Sequence, residues 1–182
     1  MTLIYKIDEK DYLIYQLFTA SKSDNIKKKR QKSKIMIPLI YFTFGLFYSF
    51  YNTNYALGVI FFIISCLWYF LYPIWEKRHY IKHYKKFIAE NYKDSIGREI
   101  NFEIDNEFLF ASSNGSESKI ITTEIVEINE IPSSIFIKLK SGQSFIFPKS
   151  KIANINQVKT RLTTLAAHLN INYKDDPQWE WK

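Results

Sequence analysis

The sequence predicts a membrane α-helical hairpin followed by an α+β domain, a small antiparallel sheet or partial barrel capped by a C-terminal helix. Three observations predict it. Residues 35–75 are 41 consecutive positions without Asp, Glu, Lys, Arg or His. Beyond residue 97 the pattern switches to period-two alternation, as in REINFEID. The chain then carries NINQVKTRLTTLAAHLN, whose apolar residues recur at helical spacing.

The order along the chain follows from these signals. TLIYKI alternates weakly and reads as one strand, and residues 11–21 read as a short helix with Asp11 as its N-cap. KKKRQKSK, six positive charges in eight residues, completes an N-terminal region of residues 1–34 as a basic linker. A mean hydropathy of −0.20 hides the run that comes next. An apolar stretch of about 18 residues already suffices to cross roughly 30 Å of hydrocarbon. Asn52, Thr53 and Asn54 divide residues 35–75 into spans 35–51 and 55–75. A buried hairpin inside a soluble helical protein is the other reading, but helices of this length would then show a polar face.

The details fit a bilayer. Trp68, Trp75, Tyr48, Tyr51, Tyr55, Tyr69 and Tyr72 gather toward the span ends, where amphipathic rings favour the headgroup region. Pro38 falls in the first turn of the first span, and Pro73 predicts a bend or an end in the second. Gly45 and Gly58 permit close approach of the two helices, although no small-xxx-small pattern is read. Cys66, the only cysteine, is a small apolar packing residue and leaves no intrachain disulfide.

Charge sets the expected orientation. Residues 1–34 carry nine positive and four negative charges, residues 76–96 carry six and three, and residues 97–182 carry ten and eleven. Basic residues near span ends stay on the cytoplasmic side. Lys27, Lys28, Lys29, Arg30, Lys32 and Lys34 before the first span, with Lys77, Arg78, Lys82, Lys85 and Lys86 after the second, therefore predict two cytoplasmic termini and an outward loop. The same residues would attract anionic lipid headgroups, the expected first partner. The slightly acidic region 97–182 argues against nucleic acid. No leader is read before residue 35, so the first span is expected to be a permanent anchor.

Residues 76–96 form a basic amphipathic helix, with Tyr80, Ile81, Tyr84, Phe87 and Ile88 on one face. It either continues from the membrane and lies on its surface or is a connector packed on the next domain. His79 and His83 stand four apart, a chelating spacing, but cationic neighbours oppose a metal and no third ligand follows. Residues 97–182 read as five or six short antiparallel strands with a corner at Asp105-Asn106, a turn cluster over residues 112–118 and a hairpin turn at Ser141-Gly142, closed by a helix over residues 154–170. Asn154 and Gln157 offer that helix a capping box, and the N-terminal strand is placed to complete the sheet. Glu124, Glu127 and Glu130 read as solvated strand positions rather than a catalytic cluster.

The order of elements and the stretch EIVEINEIPSSIFIKLKSGQSFIFPKSKI resemble the YcxB-like bacterial membrane proteins. Ile125, Ile128 and Glu130, residues 135–139, and Phe147-Pro148-Lys149 carry the resemblance. It implies a bacterial inner membrane protein whose C-terminal domain is pleckstrin-homology (PH)-like, and it implies no activity.

No catalytic or nucleotide-binding motif is present, so neither an enzyme nor a cofactor is expected. The expected function is a membrane-anchored interaction domain. An immunity protein paired with a membrane-directed toxin and a structural subunit of a membrane complex are the alternatives. The protein partner is unknown, and a homo-oligomer is among the candidates. Trp179 and Trp181, two apart in an extended tail, are candidate interaction residues that would turn to one side.

Overall fold

The computed structural model describes residues 1–51 and 54–181. Asn52 and Thr53, most of the expected outward loop, lie outside them. The chain divides into two compact units. One comprises residues 1–15 and 85–180, and the other residues 16–84 with Trp181.

The helical unit is built on α2 (Asp24–Phe50) and α3 (Tyr55–Asn91), the latter continuing into the other unit. Here the sequence expectation needs two corrections. The basic run is the first half of α2 and not a linker. Lys, Arg and Gln are good helix formers, and Ser23 supplies an N-cap whose side chain accepts from the Ile26 amide. Pro38 consequently lies mid-helix. Pro73 likewise neither ends α3 nor separates a second helix, because once a helix is nucleated its turns propagate across one missing hydrogen bond. The Asn54 side chain accepts from the Leu57 amide at 3.2 Å and starts α3.

Two glycines let α2 and α3 touch. A Cβ on Gly45 would stand 3.1 Å from the Gly58 carbonyl oxygen, and one on Gly58 would collide with Ser49 Oγ at 1.9 Å. Gly45 and Ser49 are four apart, so a small-xxx-small pair is present once serine is counted as small. Phe61 stacks on Tyr48 at 5.6 Å and Tyr41 at 6.3 Å. The Ser65 hydroxyl donates to the Pro38 carbonyl at 2.9 Å, a buried bond between the helices. The outer faces are left uncovered, with Phe70 73% and Ile63 50% exposed.

The second unit contains two four-stranded sheets. The first has the order β1 (Thr2–Lys6), β2 (Glu99–Ile104), β3 (Phe108–Ser113), β4 (Ser116–Ile121), all antiparallel. The second has the order β7 (Ser144–Pro148), β6 (Ser134–Leu139), β5 (Ile125–Glu130), β8 (Asn172–Asp175), with β8 parallel to β5. The N-terminal strand thus joins the sheet, pairing Tyr5 with Ile100. Facing rings make the core between the sheets. Phe102 lies 4.8 Å from Phe145 and 4.9 Å from Phe147, which Tyr5 approaches at 5.6 Å.

Helix α1 (Glu9–Lys22) begins earlier than expected, with Asp8 and not Asp11 as its cap. The Asp11 amide donates to Asp8 Oδ1 and the Asp8 amide to Asp11 Oδ2, both at 3.0 Å, a reciprocal box. Helix α4 (Ile155–Leu169) is the expected closing helix, packed on β5 and β8. Its proposed box is absent. The Asn154 side chain makes no cap bond, and the Asn154 backbone carbonyl accepts from the Gln157 and Val158 amides instead. Asn170 (φ 53°) ends α4 in the left-handed region that asparagine tolerates, turning the chain into β8.

Val158, Leu162 and Leu165 are buried to 1% exposure or less, so α4 closes this unit. Truncating a buried leucine to alanine typically costs about 2–5 kcal/mol, against roughly 5–15 kcal/mol for a whole domain. Leu162→Ala combined with Leu165→Ala in the full chain should abolish amide-exchange protection in β5 and β6. Parent-like protection there would remove α4 from the core.

Candidate functional site

Charged constellations stand out in both units. In the sheet unit Glu130 is nearly buried, although its alternation suggested solvent. It is flanked by β6 on one side, opposite Ile135, and by the parallel β8 on the other, opposite Asp175. Lys149 Nζ lies 2.6 Å from Glu130 Oε1, Lys159 pairs with the same oxygen, and the Tyr173 hydroxyl donates to Oε2 at 2.5 Å. Burial pushes this carboxyl up, but the bonds from Lys149, Lys159 and Tyr173 outweigh it and bring its pKa down to about 2. Glu127 is held in the same way by Lys174 and Lys138. At the start of α1, Lys151 clasps Asp8 at 2.7 Å and Asp11 at 2.5 Å. Burial again raises Asp8, and Lys151 with the Asp11 amide overrides it, down to about 2. These groups are mutually satisfied and tie strands and helices together.

The helical unit holds the open site. Lys29, Arg30, Ser33 and Ile37 of α2 face Trp68, Tyr72, Trp75, Glu76, His79, Tyr80 and His83 of α3 around a cavity of about 290 Å³. Glu76 is the only acid between Asp24 and Glu90 in sequence, and it is buried. Its Oε1 lies 2.9 Å from Arg30 Nε and accepts from the Tyr72 hydroxyl at 3.1 Å. The Arg30 guanidinium also sits 4.6 Å from the Trp181 ring and 5.9 Å from Tyr80, and those two rings meet edge-on at 5.5 Å. Trp68, Tyr72 and Trp75 lie 5.9–6.0 Å from one another, and Trp75 stacks on His79 at 5.1 Å. The Trp68 indole N–H is buried without an acceptor among the described residues.

Most of the basic residues singled out from sequence are at the surface. Lys27, Lys28, Lys29, Lys32, Arg78, Lys82, Lys85 and Lys86 are exposed, with Lys27 near Asp24 and Lys86 near Glu90 at 3.7 Å each. Lys77 is half-buried, and Lys34 lies 4.6 Å over the Tyr69 ring. Arg30 differs from the rest, because it is committed to Glu76 and two aromatic rings. The tail is not extended as expected. It turns after Asp176, whose carbonyl accepts from the Trp179 amide at 3.1 Å, leaving Trp179 half-buried and Trp181 buried.

The sequence reading missed Glu76 and the aromatic face beside it. Residues 68, 72, 75 or 76, 79 or 80, and 83 recur at helical spacing. The signal was split by an assumed boundary at residue 75, where α3 has none.

No protein-family model matches the chain, and no curated protein matches it.

Glu130 gives a pH signature. Its folded pKa is depressed below the usual 4.5, so its contribution is fully present above that value and lost as pH falls toward 2. Glu130→Gln should lower the urea midpoint of the full chain at pH 7. It should also flatten the acid limb between those values, with Asp8 supplying what remains. An unchanged midpoint and an unchanged acid limb would show that the pairing does not contribute to stability.

Proposed function

We propose that the protein is a non-enzymatic, membrane-anchored module of the bacterial inner membrane. Its hairpin crosses the bilayer, and its sheet unit is a cytoplasmic PH-like domain that engages a protein partner. The observation that carries this reading is the uncovered apolar surface of α2 and α3. Only 6% of the most apolar stretch of α2 and 17% of that of α3 is buried. Soluble monomers rarely expose apolar patches beyond a few hundred Å², whereas lipid tails cover such a face without cost.

The strand arrangement supports the second half. Four strands in one sheet, three antiparallel strands in the next and a closing C-terminal helix are the parts of a PH-like barrel, with β8 as an added edge. This is also the architecture implied by the resemblance to YcxB-like proteins. Neither span contains an Asp, Glu, Lys, Arg or His that would carry a proton or ion through hydrocarbon. The anionic leaflet surface attracts about 1 kcal/mol per nearby Lys or Arg, so the exposed lysines flanking the spans keep both ends of the hairpin inside.

A reporter active only in the cytoplasm, fused to the C-terminus, should give signal, and one active only outside should not. Replacing Lys27, Lys28, Lys29, Lys32 and Lys34 with glutamine should reduce the correctly oriented fraction. Signal from the external reporter on the parent chain would reverse the orientation and withdraw the cytoplasmic assignment of the sheet unit.

A further inference from the structure

We infer that the cleft between α2 and α3 holds the phosphate of an anionic glycerophospholipid. The inference rests on the membrane reading above and goes past it, from general attraction of headgroups to one defined seat.

Position, charge and donors converge on this ligand. The cleft runs from Ile37 to Lys29, eight positions on one helix and about 12 Å of rise. Ile37 is three residues into the uncharged run and Lys29 lies within the basic one, so the cleft straddles the border between them. Headgroup phosphates lie at such a border, with acyl chains on its apolar side.

Arg30 and Glu76 neutralise each other. Lys29 also lines the cavity and makes no ion pair among the described residues, so the cleft has a surplus positive charge. His79 and His83 add two imidazoles, and the Trp68 indole N–H needs an acceptor. A phosphate oxygen is an acceptor and carries the complementary charge.

Other ligand classes fit less well. A cation would meet Lys29, and the carboxylate that could hold it, Glu76, is already paired with Arg30. The cavity, about 290 Å³, falls just below the roughly 300–1,000 Å³ that small-molecule pockets occupy, which suits a headgroup with its chains outside.

The test uses the full chain in mild detergent, titrated calorimetrically with short-chain phosphatidylglycerol, short-chain phosphatidylcholine and sodium phosphate. Phosphatidylglycerol should saturate at one site, at least about tenfold more tightly than the other two. Lys29→Ala should weaken that binding by about tenfold, the loss expected for one charge-assisted hydrogen bond. Trp68→Phe, which keeps a ring and removes the N–H, should weaken it further, while Lys28→Ala should leave it unchanged. Equal binding of the two lipids, equal binding of free phosphate, or equal losses in Lys28→Ala and Lys29→Ala would each overturn the inference. Flotation of the same protein with liposomes separates the two levels. A protein that floats but binds without selectivity sinks the headgroup seat alone, and one that stays at the bottom sinks the membrane reading with it.

Discussion

An apolar surface that the protein itself does not cover has to be covered by something else. Residues 35–75 offer no charge for 41 positions, and many large apolar side chains along the outside of α2 and α3 are left exposed. Hydrocarbon supplies no hydrogen-bond partners, so a segment entering it must satisfy its backbone internally, which a helix does. The polar interactions inside the hairpin follow that rule. The Ser65 hydroxyl is spent on the Pro38 carbonyl, and Gly45 and Gly58 bring the helices together by contact of backbones rather than by charge. In lipid the association of two such helices rests on packing of this kind, since tails are as apolar as leucine.

Charge returns where the apolar run ends, and there one acid and one base are paired. Glu76 lies just past the run on α3, and Arg30 lies just before it on α2. Removing one partner of a buried pair leaves an uncompensated charge, typically at about 3–5 kcal/mol, so each holds the other in place. The rings of Tyr72, Tyr80 and Trp181 enclose the pair. In the sheet unit Lys149 and Lys159 do the same for Glu130, and Lys151 does so for Asp8 and Asp11. Those clusters are closed. The cleft beside Arg30 differs in keeping a lysine and an indole N–H with no acceptor of their own among the described residues.

How much of this was legible depended on the kind of signal. The two apolar helices, the alternating strands, the Gly115 and Gly142 turns and the closing helix with Leu162 and Leu165 follow from local periodicity, and the structure contains them. Boundaries read from charge or from proline were displaced. The sequence change at residue 35 is a change of environment along one helix, so α2 starts at Asp24, and Pro73 lies inside a helix that its neighbours sustain. Strand β8 was invisible because NYKD is four residues long, does not alternate and pairs in parallel with a strand more than forty residues earlier. Glu130 and Glu76 were misread or overlooked because burial of a carboxylate depends on distant lysines and arginines, which no local pattern reports.

A nitroxide on the outer face of α3 tests the placement of the hairpin most directly. Ile63 is half exposed and lies near the middle of residues 55–75, and Cys66→Ala leaves a cysteine placed at position 63 as the only thiol. In reconstituted bilayers the label should collide freely with dissolved oxygen, which concentrates in hydrocarbon, and be shielded from a water-soluble nickel complex. Ready relaxation by the nickel complex would place this face in water, and shielding from both reagents would place it against protein. Either result would contradict a hairpin whose apolar surface is covered by lipid.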